Sequence, residues 1–357
     1  MARMSSAMRM IAATAVVLLA GALFLVKQMT GAIHERSQAP AGTRIAVPAG
    51  ASLRSVLAEL ERVQAVRQPR LIEWYLRLHG QHPRAQVGTY ELAEGETAQA
   101  ILNQLDAGQV VLSQVTIVEG WTFAQMRAAL NASPDLTHDS QHLDDAALMR
   151  ALGRERVPAE GRFFPDTYRF AAGTSDRRIY ELALQRMSER LRQEWDARAP
   201  GTVVPNADAA LILASIVEKE TGREDERAKV AAVFANRLRS GMKLQSDPTV
   251  IYGLGAHYDG NLRRRDLESD GPYTSYTRTG LPPTPIALPG LASIHAVLHP
   301  ANTKALYFVA TGLGDGSHHF SSTYEEHVNA LREFLKRTGA APDAAITGGA
   351  AAKGGKR

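Results

Sequence analysis

The sequence predicts an α+β chain in three parts: an apolar N-terminal helix, a small α+β region, and a mainly helical domain with a short sheet. Three observations carry this reading. An uncharged run of 17 residues, Met10 to Val26, sits between Arg9 and Lys27. A β-rich approach, a turn glycine and a Ser or Thr then recur three times, each followed by apolar residues at helical spacing. From Ile179 onward, apolar positions return mostly at helical intervals. At 357 residues and 45% hydrophobic, the chain is long enough for two or three packed domains.

The apolar run is at the short end of what spans a bilayer, roughly 17 to 25 residues. Arg3 and Arg9 precede it, which favours a cytoplasmic N-terminus for residues 1–9 with everything after Lys27 exported. Thr30-Gly31-Ala32 offers a loose small-residue cleavage site, so a signal peptide is the competing reading. The run exceeds a usual signal core, which favours a retained anchor over residues 10–27. Residues 28–43, rich in Ser, Pro, Ala and Gly without periodicity, read as a linker.

The three repeats are Val47-Pro-Ala-Gly50-Ala-Ser52, Leu92-Ala-Glu-Gly95-Glu-Thr97 and Val118-Glu-Gly120-Trp-Thr122. Each predicts a strand that turns through glycine into a helix capped by the hydroxyl. Residues 44–115 therefore read as a small α+β subdomain, either a binding module or a spacer. Between Thr137 and Glu160 lies a polar helical patch, and the aromatic-rich FFPDTYRF block (residues 163–170) reads as an irregular wall. Ile179 to Trp195 is amphipathic and Leu211 to Val217 is apolar or small all round, a buried helix stopping near Gly222. A further helix runs from the acidic Glu224-Asp225-Glu226 to Gly241, with Val230, Val233, Phe234 and Leu238 on one face. The polar Leu244-Gln245-Ser246-Asp247-Pro248 then leads into a short apolar element. Residues 261–289 read as a long loop. Leu291 to Leu298 reads as a short helix, Ala305 to Ala310 as a buried strand, and Tyr324 to Arg337 as the closing helix. Residues 338–357, Ala/Gly-rich with a basic end, read as disordered.

Composition narrows the chemistry. There are no cysteines, which excludes disulfides, thiol catalysis, Fe–S clusters and a lipoprotein anchor. The net charge of +4 is spread without an aromatic-interleaved basic block, which argues against nucleic acid. No phosphate loop or G-x-S-x-G is present. His295 and His299 stand at i, i+4, but no glutamate follows His295 and Pro300 closes the helix, so packing is favoured over a metal site. No cofactor is expected.

Carboxylates remain. Glu218 falls one turn beyond Ala214 and Ser215 at the C-terminal end of an apolar helix, where low dielectric and the helix dipole both disfavour its charge. That suits a general acid, although the helix could simply surface there. Glu220 points about 200° away on the same helix, so the two cannot flank one bond. A second acid would come from Asp247 or Asp225; without one, Glu218 serves as acid and then base, with the substrate supplying the nucleophile. Ser215, Glu220, Thr221, Asn236, Gln245, Ser246, Asp247, Tyr252 and Tyr276 are the candidate substrate-binding residues. The segment around Gln245 and Ser246 is expected to close over Glu218, against the alternative of a loop that merely caps the preceding helix.

The runs SIVEKET (215–221), NRLRSGMKLQSDPTVIYGLG (236–255) and TGLPPTPIALPG (279–290) resemble the endolytic murein transglycosylase family, also called YceG-like. The likeness extends from Arg44 to Arg337, with Gly161-Arg162-Phe163 departing mildly from the family's usual block. The resemblance implies a single-pass inner-membrane protein with a LysM-like subdomain and a periplasmic, lysozyme-like catalytic domain over residues 116–337. It implies internal cleavage of nascent peptidoglycan glycan strands to leave 1,6-anhydro-muramoyl ends, with the catalytic glutamate at Glu218. Its expected partners are glycan strands, the inner membrane and peptidoglycan synthases.

Overall fold

The structure, a computed structural model, describes residues 6–48 and 50–339. It comprises two compact units, one of residues up to 113 with 169–174, the other of residues 114–168 with those from 175 on. The tail from residue 340 lies outside the described residues. Thr338, expected to begin that tail, instead ends the last helix, which Gly339 closes at φ 66°.

In the first unit, helix α1 (Ser6–His34) is long and apolar enough to cross a membrane. It does not stop at Lys27. The stretch expected as a linker continues the helix to His34, and Met29, Ala32 and Ile33 are buried in the unit's core. The reason is spacing: Met29, Ala32 and Ile33 stand at i, i+3, i+4 and form one apolar stripe. Strands β1 (Thr43–Val47) and β2 (Gly88–Leu92) pair antiparallel, Thr43 opposite Leu92 and Val47 opposite Gly88. Helices α2 (Leu53–Arg62) and α3 (Pro69–Leu78) lie on the connection between them, and α4 (Ala98–Asp106) follows β2.

The expected caps are present. Ser52 accepts from the Ser55 N–H at 3.1 Å and Thr97 from that of Ala100 at 3.2 Å. Helix α3 has no counterpart in the sequence reading. Its Pro69 opens the first turn, and Ile72 and Leu76 pack beside Ile33, Leu57, Tyr90 and Leu102.

The chain passes between units within the short strands β3 (Leu112–Thr116), β5 (Thr167–Ala171) and β6 (Thr174–Ser175), while β4 (Leu136–Thr137) lies in the second unit. In the second unit, α5 (Phe123–Asn131) carries the third cap, a reciprocal pair between Thr122 and Gln125. Then come α6 (Asp145–Ala151), α7 (Asp176–Asp196), α8 (Ala207–Glu220), α9 (Glu224–Arg239), α10 (Asp247–Leu254), α11 (Arg264–Glu268) and α12 (Leu291–Leu298). Strands β7 (Tyr307–Ala310) and β8 (His318–Ser321) form an antiparallel hairpin, and α13 (Tyr324–Thr338) follows.

Helix α8 is the axis of this unit. Its Leu211, Leu213, Ala214, Ile216 and Val217 are buried among Val230 and Phe234 of α9, Ile294 and Val297 of α12, and Leu191 of α7. Each large side chain so enclosed contributes about 1.5–3 kcal/mol. The FFPDTYRF block is less irregular than expected. Phe163 is core, stacked on Phe123 at 4.9 Å between ring centres, and the block ends in β5. Gly161 before it has φ 78°, and a Cβ there would stand 2.3 Å from Pro285, so the backbone of this turn sits directly on the 279–290 segment.

The junction in α1 gives a stability test. In detergent, Ile33→Ala should lower the urea-unfolding free energy by about 2–5 kcal/mol. Leu19→Ala, on the exposed part of the same helix, should change it by less than about 0.5 kcal/mol. Equal effects would mean that the end of α1 is not core.

Candidate active site

The last turn of α8 presents two glutamates to different surroundings. Glu218 Oε2 accepts hydrogen bonds from the Gly290 N–H at 3.0 Å and the Ser293 hydroxyl at 2.7 Å. Gly290 is the N-cap of α12 and Ser293 lies in its first turn. The carboxylate thus stands at the negative end of α8 and the positive end of α12. The donors that meet Glu218 come from Gly290 and Ser293, rather than from Ser215 or the Gln245–Ser246 segment that the sequence placed beside it, and both reach the same oxygen. Oε1 has no protein donor among the described residues.

A second carboxylate, which the sequence reading did not single out, lies beside it. The turn Val118–Trp121 is laced to the segment before α12 by Gly120 N–H to Leu288 O (2.9 Å) and Leu288 N–H to Trp121 O (2.7 Å). This brings Glu119 against Gly290, where an added Cβ would lie 2.0 Å from Glu119 Oε1. Gly290 has ordinary dihedrals (φ −74°, ψ 168°), so a side chain there would meet no backbone strain and would displace only the Glu119 carboxylate. Burial first, then the charge of Glu218, push the Glu119 carboxyl above its ordinary value, while Arg227 opposes the rise. Arg227 is itself buried, and its Nε has no hydrogen-bond partner among the described residues.

Glu220 faces the other way, as the helical spacing requires. It accepts the Ser246 hydroxyl at 2.5 Å, so the segment expected to close over Glu218 is tied to Glu220 instead. Burial pushes the Glu220 carboxyl up to about 8, with neighbouring Asp247 adding to the shift and Arg237 offsetting it. Asp247 is buried and accepts from the Tyr276 hydroxyl at 2.6 Å. Asp225 is paired with Arg223 at 2.8 Å. Glu119, rather than either of these aspartates, is the carboxylate found beside Glu218.

The remaining candidates make contacts inside the unit. Ser215 donates to Ile212 O and accepts from the Ile286 N–H, pinning the 279–290 segment to α8. Asn236 donates to Thr303 O and Ala305 O, both at 2.9 Å. Next to it, Arg237 donates to Leu306 O and Leu244 O. Thr221 caps α8, its backbone N–H reaching Val217 O and its hydroxyl accepting from the Arg223 N–H. Gln245 adopts φ 51°, donates its N–H to Ser275 O at 3.1 Å, and offers its side-chain oxygen to Arg237 at 3.4 Å.

Tyr252 borders a cavity of about 970 Å³ whose wall includes Phe123, Met149, Glu160 and Tyr273. Its hydroxyl donates to Glu160 at 3.2 Å, and the Phe123 N–H meets the same carboxyl at 3.0 Å. Burial still pushes Glu160 up to about 7. At the far end of α12, His295 and His299 stack at 4.4 Å between ring centres, and His295 Nδ1 lies 2.8 Å from Glu194 of α7. The ligand atoms of these three residues all fall within 4.8 Å of one another.

A buried axial helix whose last turn carries Glu218, with the carboxylate held by the first turn of a second helix and flanked by another carboxylate, is the centre of the helical unit. The chain belongs to the YceG-like family, whose model matches residues 45–333. It is 30% identical over 338 residues to the endolytic murein transglycosylase of Bacillus subtilis strain 168, covering 89% of this chain and 91% of that protein. It is 25% identical over 323 residues to the protein of the same name from Streptococcus pneumoniae D39, covering 82% of this chain but 58% of that one. A crystal structure of a yceG-like protein from Listeria monocytogenes is 27% identical and covers 80% of this chain and 98% of that one, with a TM-score of 0.49.

Glu220 gives a pH test. Its carboxyl titrates near 4.5 ordinarily and is pushed up to about 8 in the folded chain. The folded state therefore binds more protons in that window, and stability falls as pH rises through it. Glu220→Gln keeps an acceptor for Ser246 and removes the titration. In urea unfolding the variant should gain on the parent from about pH 5 to about pH 8, ending more stable by at least about 1 kcal/mol. Identical pH slopes would place the Glu220 carboxyl in water.

Proposed function

We propose that this protein is an endolytic murein transglycosylase that acts with Glu218 on the bond between N-acetylmuramic acid and N-acetylglucosamine. The observation that carries the reading is the likeness to named transglycosylases along 89% of this chain, joined to the position of Glu218 at the junction of α8 and α12. Glu218 gives a proton to the glycosidic oxygen. Its carboxylate then takes the proton of the muramoyl C6 hydroxyl as that oxygen closes on C1. No water enters the bond, and the intramolecular nucleophile gains a large entropic advantage over an external one. The donors from Gly290 and Ser293 support this role, because they stabilise the anion left when the proton departs.

The membrane-length helix α1 supports a single-pass anchor in the inner membrane, with both units in the periplasm. The two-stranded sheet with α2 and α3 on its connection supports a LysM-like role in holding glycan for the first unit. Peptidoglycan synthases are the protein partners proposed. A muramidase is the second reading, and the nearness of Glu119 to Gly290 favours it over any version built on Asp247, which is buried against Tyr276. A glycan-binding anchor without catalysis is the third.

Mass spectrometry of purified glycan strands incubated with the detergent-solubilised chain separates the three. Internal cuts with 1,6-anhydro ends are expected; reducing ends would make the enzyme a muramidase, and intact strands would leave only binding. Glu218→Gln should lower the rate at least about 10²-fold while the thermal melt stays unchanged. A rate within a few-fold of the parent would remove Glu218 from the mechanism. Protein extracted from membranes should have an intact mass that includes residues 1–31. A mature chain starting near Ile33 would make α1 a signal peptide.

A further inference from the structure

The last turns of α7 and α12 converge at the end of α12 remote from Glu218. The Ala199 N–H, just past α7, donates to Leu298 O at 2.9 Å and ties the two ends together. Both helices turn the negative ends of their dipoles to this corner, which therefore favours a cation. Three side chains meet there: Glu194 from the last turn of α7, His295 in the last turn of α12, and His299 at its C-cap. Among the described residues, theirs is the one group of three imidazoles or carboxylates whose ligand atoms all lie within 4.8 Å of one another. The third ligand that the His295–His299 spacing lacks in the sequence is thus supplied by α7, 101 positions away.

The three groups are free to take an ion. Glu194 pairs with no cation except His295 among the described residues. Arg198, four positions on, donates to Trp195 O and lies over the Trp195 ring instead. The His299 ring stacks on that of His295 at 4.4 Å, and its nitrogens have no hydrogen-bond partner among the described residues. A carboxylate only accepts, so His295 Nδ1 donates to Glu194 Oε2 across 2.8 Å. Two ligand atoms held about 2.0–2.2 Å from one tetrahedral ion stand about 3.4 Å apart, so an ion replaces that proton with a widening of only about 0.6 Å. The exposed ring of His295 gives the ion access from solvent.

We propose that Glu194, His295 and His299 bind a divalent transition-metal ion of the Zn²⁺ type. Two imidazoles and one carboxylate suit Zn²⁺, Cu²⁺ or Ni²⁺, whereas Ca²⁺ takes roughly six to eight oxygens, which a single carboxylate does not supply. Water takes the fourth position, and binding releases the Nδ1 proton of His295 to solvent. His295 lies about 200° around α12 from Ser293, so the ion sits on the face turned away from Glu218. Its role is structural: it staples α12, whose first turn holds Glu218, to α7. The site stands independently of the transglycosylase reading, and its test needs no glycan.

The test uses the full chain in detergent, free of any purification tag, with Zn²⁺ alone as the probe. Equilibrium dialysis should show one held equivalent per chain. Glu194→Gln, His295→Ala and His299→Ala should each weaken it at least about 10-fold, the least that loss of even an outer-shell partner costs. His319→Ala, which removes an exposed histidine of β8, should leave the equivalent in place. Co²⁺ should give the visible absorption of a four-coordinate ion in the parent and lose it in His295→Ala. With free Zn²⁺ about a hundredfold above Kd, the melting midpoint of the parent should rise by about 3 °C or more, and that of His299→Ala should not move. Hydrogen exchange over residues 291–299 should slow with Zn²⁺ in the parent alone. Variants that melt with the parent in EDTA are folded, so their loss of binding is a loss of ligands. A parent chain that takes up no Zn²⁺, or an equivalent that survives in both His295→Ala and His299→Ala, overturns the proposal. Uptake that follows the three ligands without any change in midpoint or exchange keeps the ion and overturns its role as a staple.

Discussion

The helical unit depends on one junction, the meeting of the C-terminal end of α8 with the N-terminal end of α12 at Glu218. A carboxylate at the end of its own helix is repelled by that helix's dipole. Here the first turn of another helix opposes the repulsion. The segment that delivers α12 is fixed on both sides: Ser215 holds the Ile286 N–H, and the Val118–Trp121 turn holds Leu288 through two backbone hydrogen bonds. Ordering these backbones costs entropy that hydrogen bonding alone does not recover. The buried face of α8 against α9 and α12 supplies the rest.

A second polar network on the other side of α8 keeps its last turn from fraying. Glu220 holds Ser246, Ser246 and Thr249 share Ser275, and Asp247 holds Tyr276. Arg237 binds the carbonyls of Leu244 and Leu306 and so joins α9 to the strand β7 and to the loop before α10. The conspicuous polar residues of the NRL and LQSDP runs thus act largely as internal fasteners. In sequence such residues look the same as ligand-binding ones, because a hydroxyl or amide has the same valence toward a backbone carbonyl as toward a sugar.

What could be read in the chain followed the range of the interaction involved. Ser52, Thr97 and Thr122 were legible as caps because cap and partner lie three residues apart. The end of α12 was legible from Pro300, and the buried character of α8 from its composition. Helix α3 was not, since its Ile72 and Leu76 make a short stripe that only the core around Ile33 completes. Strand β8 was missed because His318-His319-Phe320-Ser321 has little alternation of its own and is defined by pairing with β7. Glu218 carried a local signal, a charge at the end of an apolar run. Glu119 carried none beyond its place in the third glycine turn, because its neighbours are 99 and 171 positions away in the chain.

The unbroken passage of α1 into the core of the first unit has a mechanical consequence. From Val26, where the apolar run ends, to Ile33, fully buried, the helix advances about 10 Å. A stiff rod of that length between an apolar, solvent-exposed stretch and a packed core acts as a ruler. With α1 as the proposed anchor, the rod fixes the distance between the spanning stretch and the sheet and helices of the first unit, and a tilt or rotation of the rod turns that unit with it.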